Sequence, residues 1–290
     1  MSRFCSPLRY PGGKNRIFKF VSNLFYENEM IGDSYAEPYA GGAGLALKLL
    51  FEGYVNHIYI NDFDYSIYSF WKAIIEQTDR FCSWIENCDV SLETWHDCKE
   101  IQKNGSDDYF DLATSTFFLN RTNISGIIKG GVIGGVAQKG KYKIDARFNK
   151  NDLISRIKKI SDYHSQISIS NLDGIDFLEK FKANAQDTFI YLDPPYYNKG
   201  ADLYMNFFQE NDHATLSEYV KKLNNKWMIS YDYQDCIIRL YENQKCLSYT
   251  LSQNTSNKMG TELLFFSDEV KFEESTVFLR EPILLNNSVD

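Results

Sequence analysis

Apolar and polar positions follow one another in two rhythms along this chain, and the changes between them mark its elements. Residues 17–30, IFKFVSNLFYENEM, carry apolar side chains at three- and four-residue spacing and predict an amphipathic helix. SYAEP at 34–38 reads as a short strand running into the glycine loop AGGAG at 40–44, and LALKLLFEGY at 45–54 reads as the helix behind it. The unit then repeats: HIYIND at 57–62 is a strand ending in an acid, followed by the helical pattern YSIYSFWKAIIEQ at 65–77. Two strand–helix units at this spacing predict a parallel, doubly wound sheet.

Near residue 78 the rhythm breaks. Helical stretches occupy 78–119, and the glycine-rich run SGIIKGGVIGGVAQKGKYK at 125–143 is too interrupted for a core helix. Strand character returns at ISISNLD (167–173), helix at DFLEKFKA (176–183), and strand again at TFIYLDPP (188–195), WMISYDY (227–233) and TELLFFS (261–267). The pattern predicts an α/β fold of Rossmann-like type. Residues 1–77 and 161–290 build its mostly parallel sheet, and 78–160 form an inserted, smaller, mainly helical domain.

With 43% apolar residues in 290, the chain can bury one large core or a core with a small appendage. No run approaches the roughly 20 apolar residues of a membrane span, and MSRFCSPLRYPGGK lacks a signal-peptide segment, which predicts a cytoplasmic protein with no membrane partner. The six cysteines (5, 82, 88, 98, 236, 246) and four histidines (57, 96, 164, 213) fall at no zinc-ligand spacing, so no metal is expected. A net charge of −8 argues against a polyanionic partner until its distribution is considered. Residues 1–20 hold Arg3, Arg9, Lys14, Arg16 and Lys19 with no acid, and 120–160 hold ten bases against Asp145 and Asp152. Such segregation predicts a nucleic-acid footprint on an otherwise acidic body.

The candidate chemistry lies at strand ends. In EPYAGGAG the glycines let a ligand approach the backbone where open α/β sheets bind ligands, although GxGxxG is not matched. Asp62 ends the next strand 18 residues after Gly44, where an acid accepts hydrogen bonds from ribose hydroxyls. No GxxxxGK[ST] loop is present, so an adenosyl cofactor without phosphates is expected. In DPPY at 193–196 two prolines rigidify the loop, so that the Asp193 carboxylate and the Pro194 carbonyl can each accept one hydrogen of a planar amine while Pro195 restrains the turn and Tyr196 stacks on its ring. The nitrogen lone pair is thereby turned toward an electrophile. Transfer to cytosine C5 would require a nucleophilic cysteine, commonly after proline, and no proline precedes a cysteine here.

PLRYPGGK at 7–14, EPYAGGAG at 37–44, Asp62 and DPPY at 193–196 stand in the order of the alpha-class amino methyltransferases, and over most of its length the chain resembles the Dam-type (D12) adenine-specific DNA methyltransferases. The resemblance implies S-adenosyl-L-methionine as cofactor, double-stranded DNA as substrate, methylation of a flipped-out adenine on its 6-amino group, and in some members a cognate restriction endonuclease. It implies cofactor contacts from Tyr10 and Lys14, the latter near the methionine carboxylate, from Glu37, Tyr39, Gly41 and Gly44 on the methionine side, from Asp62 on the ribose, and from Asp193. Asp173, with Asp176 as its competitor, would meet the cofactor's adenine. FFLNRTNISGI at 117–127 resembles the family's recognition segment, which implies DNA contacts from Asn120, Arg121, Asn123 and Ser125, while charge adds Arg9, Lys139, Lys141 and Lys143. Only Leu119–Arg121 keep the pattern of GATC methylases, so the target sequence is not implied. The alternatives are an RNA or small-molecule amino methyltransferase, and a catalytically silent DNA-binding regulator.

Overall fold

The computed structural model describes residues 5–10, 14–182, 187–197, 208–252 and 259–285; residues 11–13 of the PGGK motif lie outside them. After a 3₁₀ turn at Lys14–Ile17 come α1 (Phe18–Glu27), β1 (Ser34–Glu37), α2 (Gly44–Phe51), β2 (His57–Asn61) and α3 (Tyr65–Glu76). Four helices follow, α4 (Thr78–Asn87), α5 (Leu92–Asn104), α6 (Tyr109–Thr122) and α7 (Lys150–Asp162). The chain then returns to the sheet with β3 (Ile167–Ser170), α8 (Gly174–Glu179), β4 (Thr188–Leu192), α9 (Glu210–Val220), β5 (Trp227–Asp232), α10 (Asp235–Leu240), β6 (Lys245–Ser252), β7 (Met259–Phe266) and β8 (Ile283–Leu285).

The strands form one sheet in the order β3-β2-β1-β4-β5-β7-β6-β8. The pairs from β3 through β5 are parallel, and β7, β6 and β8 extend the sheet antiparallel. β4 is buried along its whole length because helices cover both faces, which is why TFIYL reads as an unbroken apolar run. Alternation along the strands separates two cores. Phe189 and Tyr191, with Leu264 and Phe266, meet Phe20, Leu24 and Phe25 of α1, whereas Ile190, Leu192, Leu263 and Phe265 meet Phe177 of α8, Leu216 of α9 and Ile237 of α10.

Residues 78–160 are helices and loops, but they have no core of their own. Phe70 of α3 stacks on Phe117 of α6 at 5.8 Å, and Phe81 of α4 packs edge-on against both rings. Their apolar side chains continue one cluster from the sheet through α3, so the expected inserted domain is built as a helical extension of one layer. Among the described residues no helix is long and apolar enough to cross a membrane.

Asn61, with no exposed surface, locks the ends of β1, β2 and β3 together. Its amide donates to the carbonyls of Pro38 and Leu172, both at 2.9 Å, and its oxygen accepts from the Leu172 N–H and the Ser170 hydroxyl, again at 2.9 Å each. Truncation would leave several of these groups unsatisfied in the interior, each costing about 1–3 kcal/mol. Asn61→Ala is therefore expected to destabilise the fold by about 2–4 kcal/mol in urea unfolding, and a loss under about 1 kcal/mol would show that water replaces the side chain there.

Candidate active site

The strand order places β2 and β3 on one side of β1, and β4 and β5 on the other. The carboxyl ends of β1 and β4 therefore flank the switch point at which open α/β sheets bind ligands. Acids stand at those ends: Glu37 closes β1, Asp62 follows β2, Asp193 follows β4 and Asp232 closes β5.

Between β1 and α2 the chain turns through left-handed backbone at Gly41 (φ 46°) and Ala43 (φ 43°). Gly41 is required there because a Cβ would lie 2.6 Å from the Tyr10 ring, and at Gly44 one would lie 2.7 Å from the Asn15 amide. The turn is fixed from both sides, since the Gly41 N–H donates to Asp62 Oδ2 and the Trp71 indole donates to the Gly41 carbonyl, each at 2.9 Å. Asp62 Oδ1 accepts from the Asp64 N–H at 2.9 Å, and buried Glu37 accepts the Tyr35 hydroxyl at 2.9 Å. Burial pushes the Asp62 carboxyl up to about 7 and the Glu37 carboxyl up to about 8. A carboxylate offers about four acceptor sites, so both acids retain capacity for a ligand. Two carboxyls beside a glycine turn, Glu37 buried and Asp62 half-buried, fit a ligand that brings a cationic centre and a ribose diol, as S-adenosylmethionine does. Tyr39 is half-buried, packs edge-on to Phe208 at 5.8 Å and abuts Gly174.

The DPPY loop is held by a buried polar cluster. Asp193 Oδ1 accepts the Ser230 hydroxyl at 2.8 Å and lies 3.2 Å from the Lys14 ammonium. Lys14 also reaches the Tyr196 hydroxyl at 2.5 Å and Glu262 Oε2 at 3.2 Å. Tyr196 donates to Glu262 Oε1 at 2.6 Å, and Tyr249 donates to Oε2 at 2.7 Å. Burial alone would lower the pKa of Lys14, but Asp193, Tyr196 and Glu262 outweigh it and hold the group well above the ordinary lysine value. Burial raises Asp193, and Lys14 pulls it back. Both described polar contacts of Asp193 fall on Oδ1, which leaves Oδ2 for a substrate amine. Pro194 and Pro195 are buried beneath the turn.

Several residues stand elsewhere than the sequence suggested. Lys14, expected at the cofactor's carboxylate, spends its three N–H donors on Asp193, Tyr196 and Glu262, and an added carboxylate would meet two like charges. Exposed Asp173 caps α8, accepting the Ile175 N–H at 2.9 Å, and Asp176 is exposed in the first turn of that helix. Asn120, Arg121 and Asn123 are buried and bonded within the chain, so the free protein does not present them at its surface. Asn120 bonds the Arg9 N–H and the carbonyls of Arg9 and Gly126, and Asn123 accepts the Trp95 indole at 2.7 Å while donating to the Ile127 and Ile128 carbonyls. Arg121 donates to the carbonyls of Arg147 and Pro7. Arg9 donates to the Asn123 carbonyl at 3.0 Å, and Ser125 is half-buried in left-handed backbone (φ 57°). Lys139, Lys141 and Lys143 are exposed on the loop before α7.

Ser230, Tyr249 and Glu262 were missed by sequence reasoning. The available signals were the serine in MISYD and the single acid in the apolar strand TELLFF.

A glycine turn with carboxyls at the ends of β1 and β2, facing an acid-Pro-Pro-Tyr loop after β4, defines the class of S-adenosylmethionine-dependent amino methyltransferases. Residues 10–257 match the model of the D12 class N6 adenine-specific DNA methyltransferase family, and the chain belongs to that family. The chain is 24% identical over 214 residues, 72% of its length, to the type II methyltransferase M.CviBI of Paramecium bursaria Chlorella virus NC1A, of which it spans 76%. It is also 24% identical to the type II methyltransferase M1.LlaDCHI of Lactococcus lactis subsp. cremoris, over 65% of this chain and 64% of that one. Among solved structures, TrmN from Thermus thermophilus aligns over 84% of this chain and 47% of its own at 10% identity, with a TM-score of 0.38 that is too low to add to the assignment. The enzyme is thus an adenine-specific DNA methyltransferase with S-adenosylmethionine as methyl donor, which decides against the RNA and small-molecule alternatives.

The raised carboxyls of Asp62 and Glu37 carry a pH signature. Their unfolded values are near 4, so between about pH 4 and pH 8 the folded chain holds protons that the unfolded chain has released, and these groups lower stability as pH rises. In cofactor-free protein the urea midpoint should fall from pH 5 to pH 8 more steeply than in the Glu37→Gln, Asp62→Asn double variant. Equal slopes would place both acids in contact with water.

Proposed function

We propose that this chain is a Dam-type, alpha-group methyltransferase that modifies a flipped-out adenine at a specific site in duplex DNA. It works in the cytoplasm as the modification partner of a restriction endonuclease. The single observation that carries the reading is the Asp193–Lys14–Tyr196–Glu262 cluster, which holds an acid-Pro-Pro-Tyr loop at the switch point with one carboxylate oxygen left for an amine. The endonuclease partner is supported by the type II designation of both relatives, and the reducing compartment by six free thiols.

When bound, S-adenosylmethionine supplies a methyl group carried on a sulfonium. Glu37 and Asp62 receive its cationic and diol portions, and Tyr10, Tyr39, Gly41 and Gly44 shape the turn around it. Asp193 Oδ2 and the Pro194 carbonyl accept the two hydrogens of the target amine, which directs its lone pair away from the base plane. The Tyr196 ring, fixed by its hydroxyl, offers a face on which the extruded adenine stacks and offsets part of the few kcal/mol that flipping costs. Catalysis then consists of positioning and hydrogen-bond acceptance, with no covalent intermediate. Exposed Lys139, Lys141 and Lys143 contact the phosphate backbone, with Arg9 and Ser125 as further DNA contacts.

Asp193→Ala is expected to abolish methyl transfer, by at least about a hundredfold, while cofactor affinity changes by less than about threefold. Asp62→Ala should do the reverse, weakening cofactor binding with a smaller effect on the single-turnover rate at saturation. Equilibrium titration and single-turnover methylation decide this. Equal losses of affinity would overturn the division of roles, and cofactor binding without transfer to any duplex in the unaltered protein would make it a silent regulator.

A further inference from the structure

Glu262 belongs to neither the glycine turn nor the DPPY loop, yet it is the acceptor on which the second of these converges. It lies on β7 opposite Asp232 of β5 and Tyr249 of β6. Because β7 runs antiparallel to β5, its first residues lie at the carboxyl ends of the parallel strands, beside Asp193. Strand alternation puts Glu262 on the face of Leu264 and Phe266, which pack into the core with α1. An apolar residue would suit that position, and an ionised carboxylate there costs free energy unless it is paired. Glu262 is 8% exposed and takes the hydroxyls of Tyr196 (2.6 Å) and Tyr249 (2.7 Å) and the Lys14 ammonium (3.2 Å).

We propose that Glu262 is a positioning residue for methyl transfer: it anchors the Tyr196 hydroxyl and divides the Lys14 ammonium with Asp193, setting both the tilt of the stacking ring and the strength of Asp193 as an acceptor. The inference rests on the reading that Asp193 and Tyr196 meet the target adenine. The hydroxyl of Tyr196 lies between two fixed groups, donating to Glu262 and accepting from Lys14, so its ring cannot swing or tilt without breaking a bond. Lys14 places one cation against two carboxylates. Were Glu262 neutral, the whole of that charge would fall on Asp193 and weaken its pull on the amine hydrogens; the opposite signs of the Glu262 and Lys14 influences on the Asp193 carboxyl agree with this. A purely structural pair would alter stability alone, whereas a positioning residue alters the transfer step at unchanged affinities.

The test measures single-turnover methylation at saturating cofactor and duplex, both equilibrium affinities, and thermal unfolding for Glu262→Gln, Tyr196→Phe, their double variant and Asp193→Asn. Glu262→Gln keeps the side chain's shape and is expected to slow transfer about tenfold or more, with both dissociation constants within about threefold of the unaltered enzyme. The double variant should lose less than the product of the two single losses, since both changes break the bond that fixes the Tyr196 hydroxyl while only Glu262→Gln also redistributes the Lys14 charge. An unchanged rate in Glu262→Gln, fully multiplicative losses, or a loss confined to cofactor affinity would each overturn the proposal. Full activity in Asp193→Asn would instead overturn the reading of the loop on which it rests. Tyr249→Phe removes only a donor to Glu262 and covers the case in which the charge change prevents folding: slower transfer at unchanged affinities supports the proposal, and an unchanged rate counts against it.

Discussion

The ammonium of Lys14 lies in the interior between Asp193 and Glu262, and three distant parts of the chain meet on it. Lys14 opens the 3₁₀ turn before α1, Asp193 opens the loop after the central strand, and Glu262 belongs to the antiparallel extension of the sheet. A buried charge lacking its partner costs several kcal/mol, so none of the three can leave without exposing the others to that penalty. The geometry of the loop after β4 therefore depends on the turn at Lys14–Ile17 and on β7 as much as on its own prolines. The cluster also carries more negative than positive charge, which leaves Asp193 a good acceptor while its Oδ1 is held by Ser230 and Lys14.

Charge compensation divides the switch point into two halves. Near β4 the acids have a cation, short hydrogen bonds and fixed orientation. Near β1 and β2, buried Glu37 and half-buried Asp62 have only neutral donors, and desolvation raises both carboxyls. The first arrangement suits a group that must present one oxygen in one direction. The second suits acids whose cationic partner arrives with the cofactor. Asn61 stiffens this second half by tying the Pro38 and Leu172 backbone to β2, and the Trp71 bond to the Gly41 carbonyl extends that support into α3.

The parallel half of the sheet was legible because its strands are buried on both faces or end in diagnostic acids. β6 was not, since KCLSYTLS intersperses polar residues along a strand close to the sheet edge, and β8 is a three-residue edge strand with Ile283 and Leu284 exposed. Polar α9 and six-residue α10 gave no helical stripe comparable with that of α3. Glu37, Asp62 and Asp193 could be picked out because acids after apolar strands stand at the carboxyl edge of a parallel sheet. Glu262 could not, because an acid inside TELLFF gives no sign of which distant tyrosines and lysine will satisfy it. Asn120, Arg121 and Asn123 misled for the converse reason. Polar side chains at the end of a helix read as exposed, but here they bond the carbonyls of Pro7, Arg9, Gly126 and Ile127.

The proposed role of the Asp193 loop, held by Lys14 and Glu262, is methylation of adenine in duplex DNA. Expression in a host that lacks adenine methylation, followed by single-molecule sequencing of its genome, tests this most directly. N6-methyladenine should appear within one recurring sequence in cells carrying the unaltered chain and be absent from cells carrying Asp193→Ala. A genome without modified adenines when the folded protein is present, or the same modified sites in cells carrying Asp193→Ala, would contradict the account.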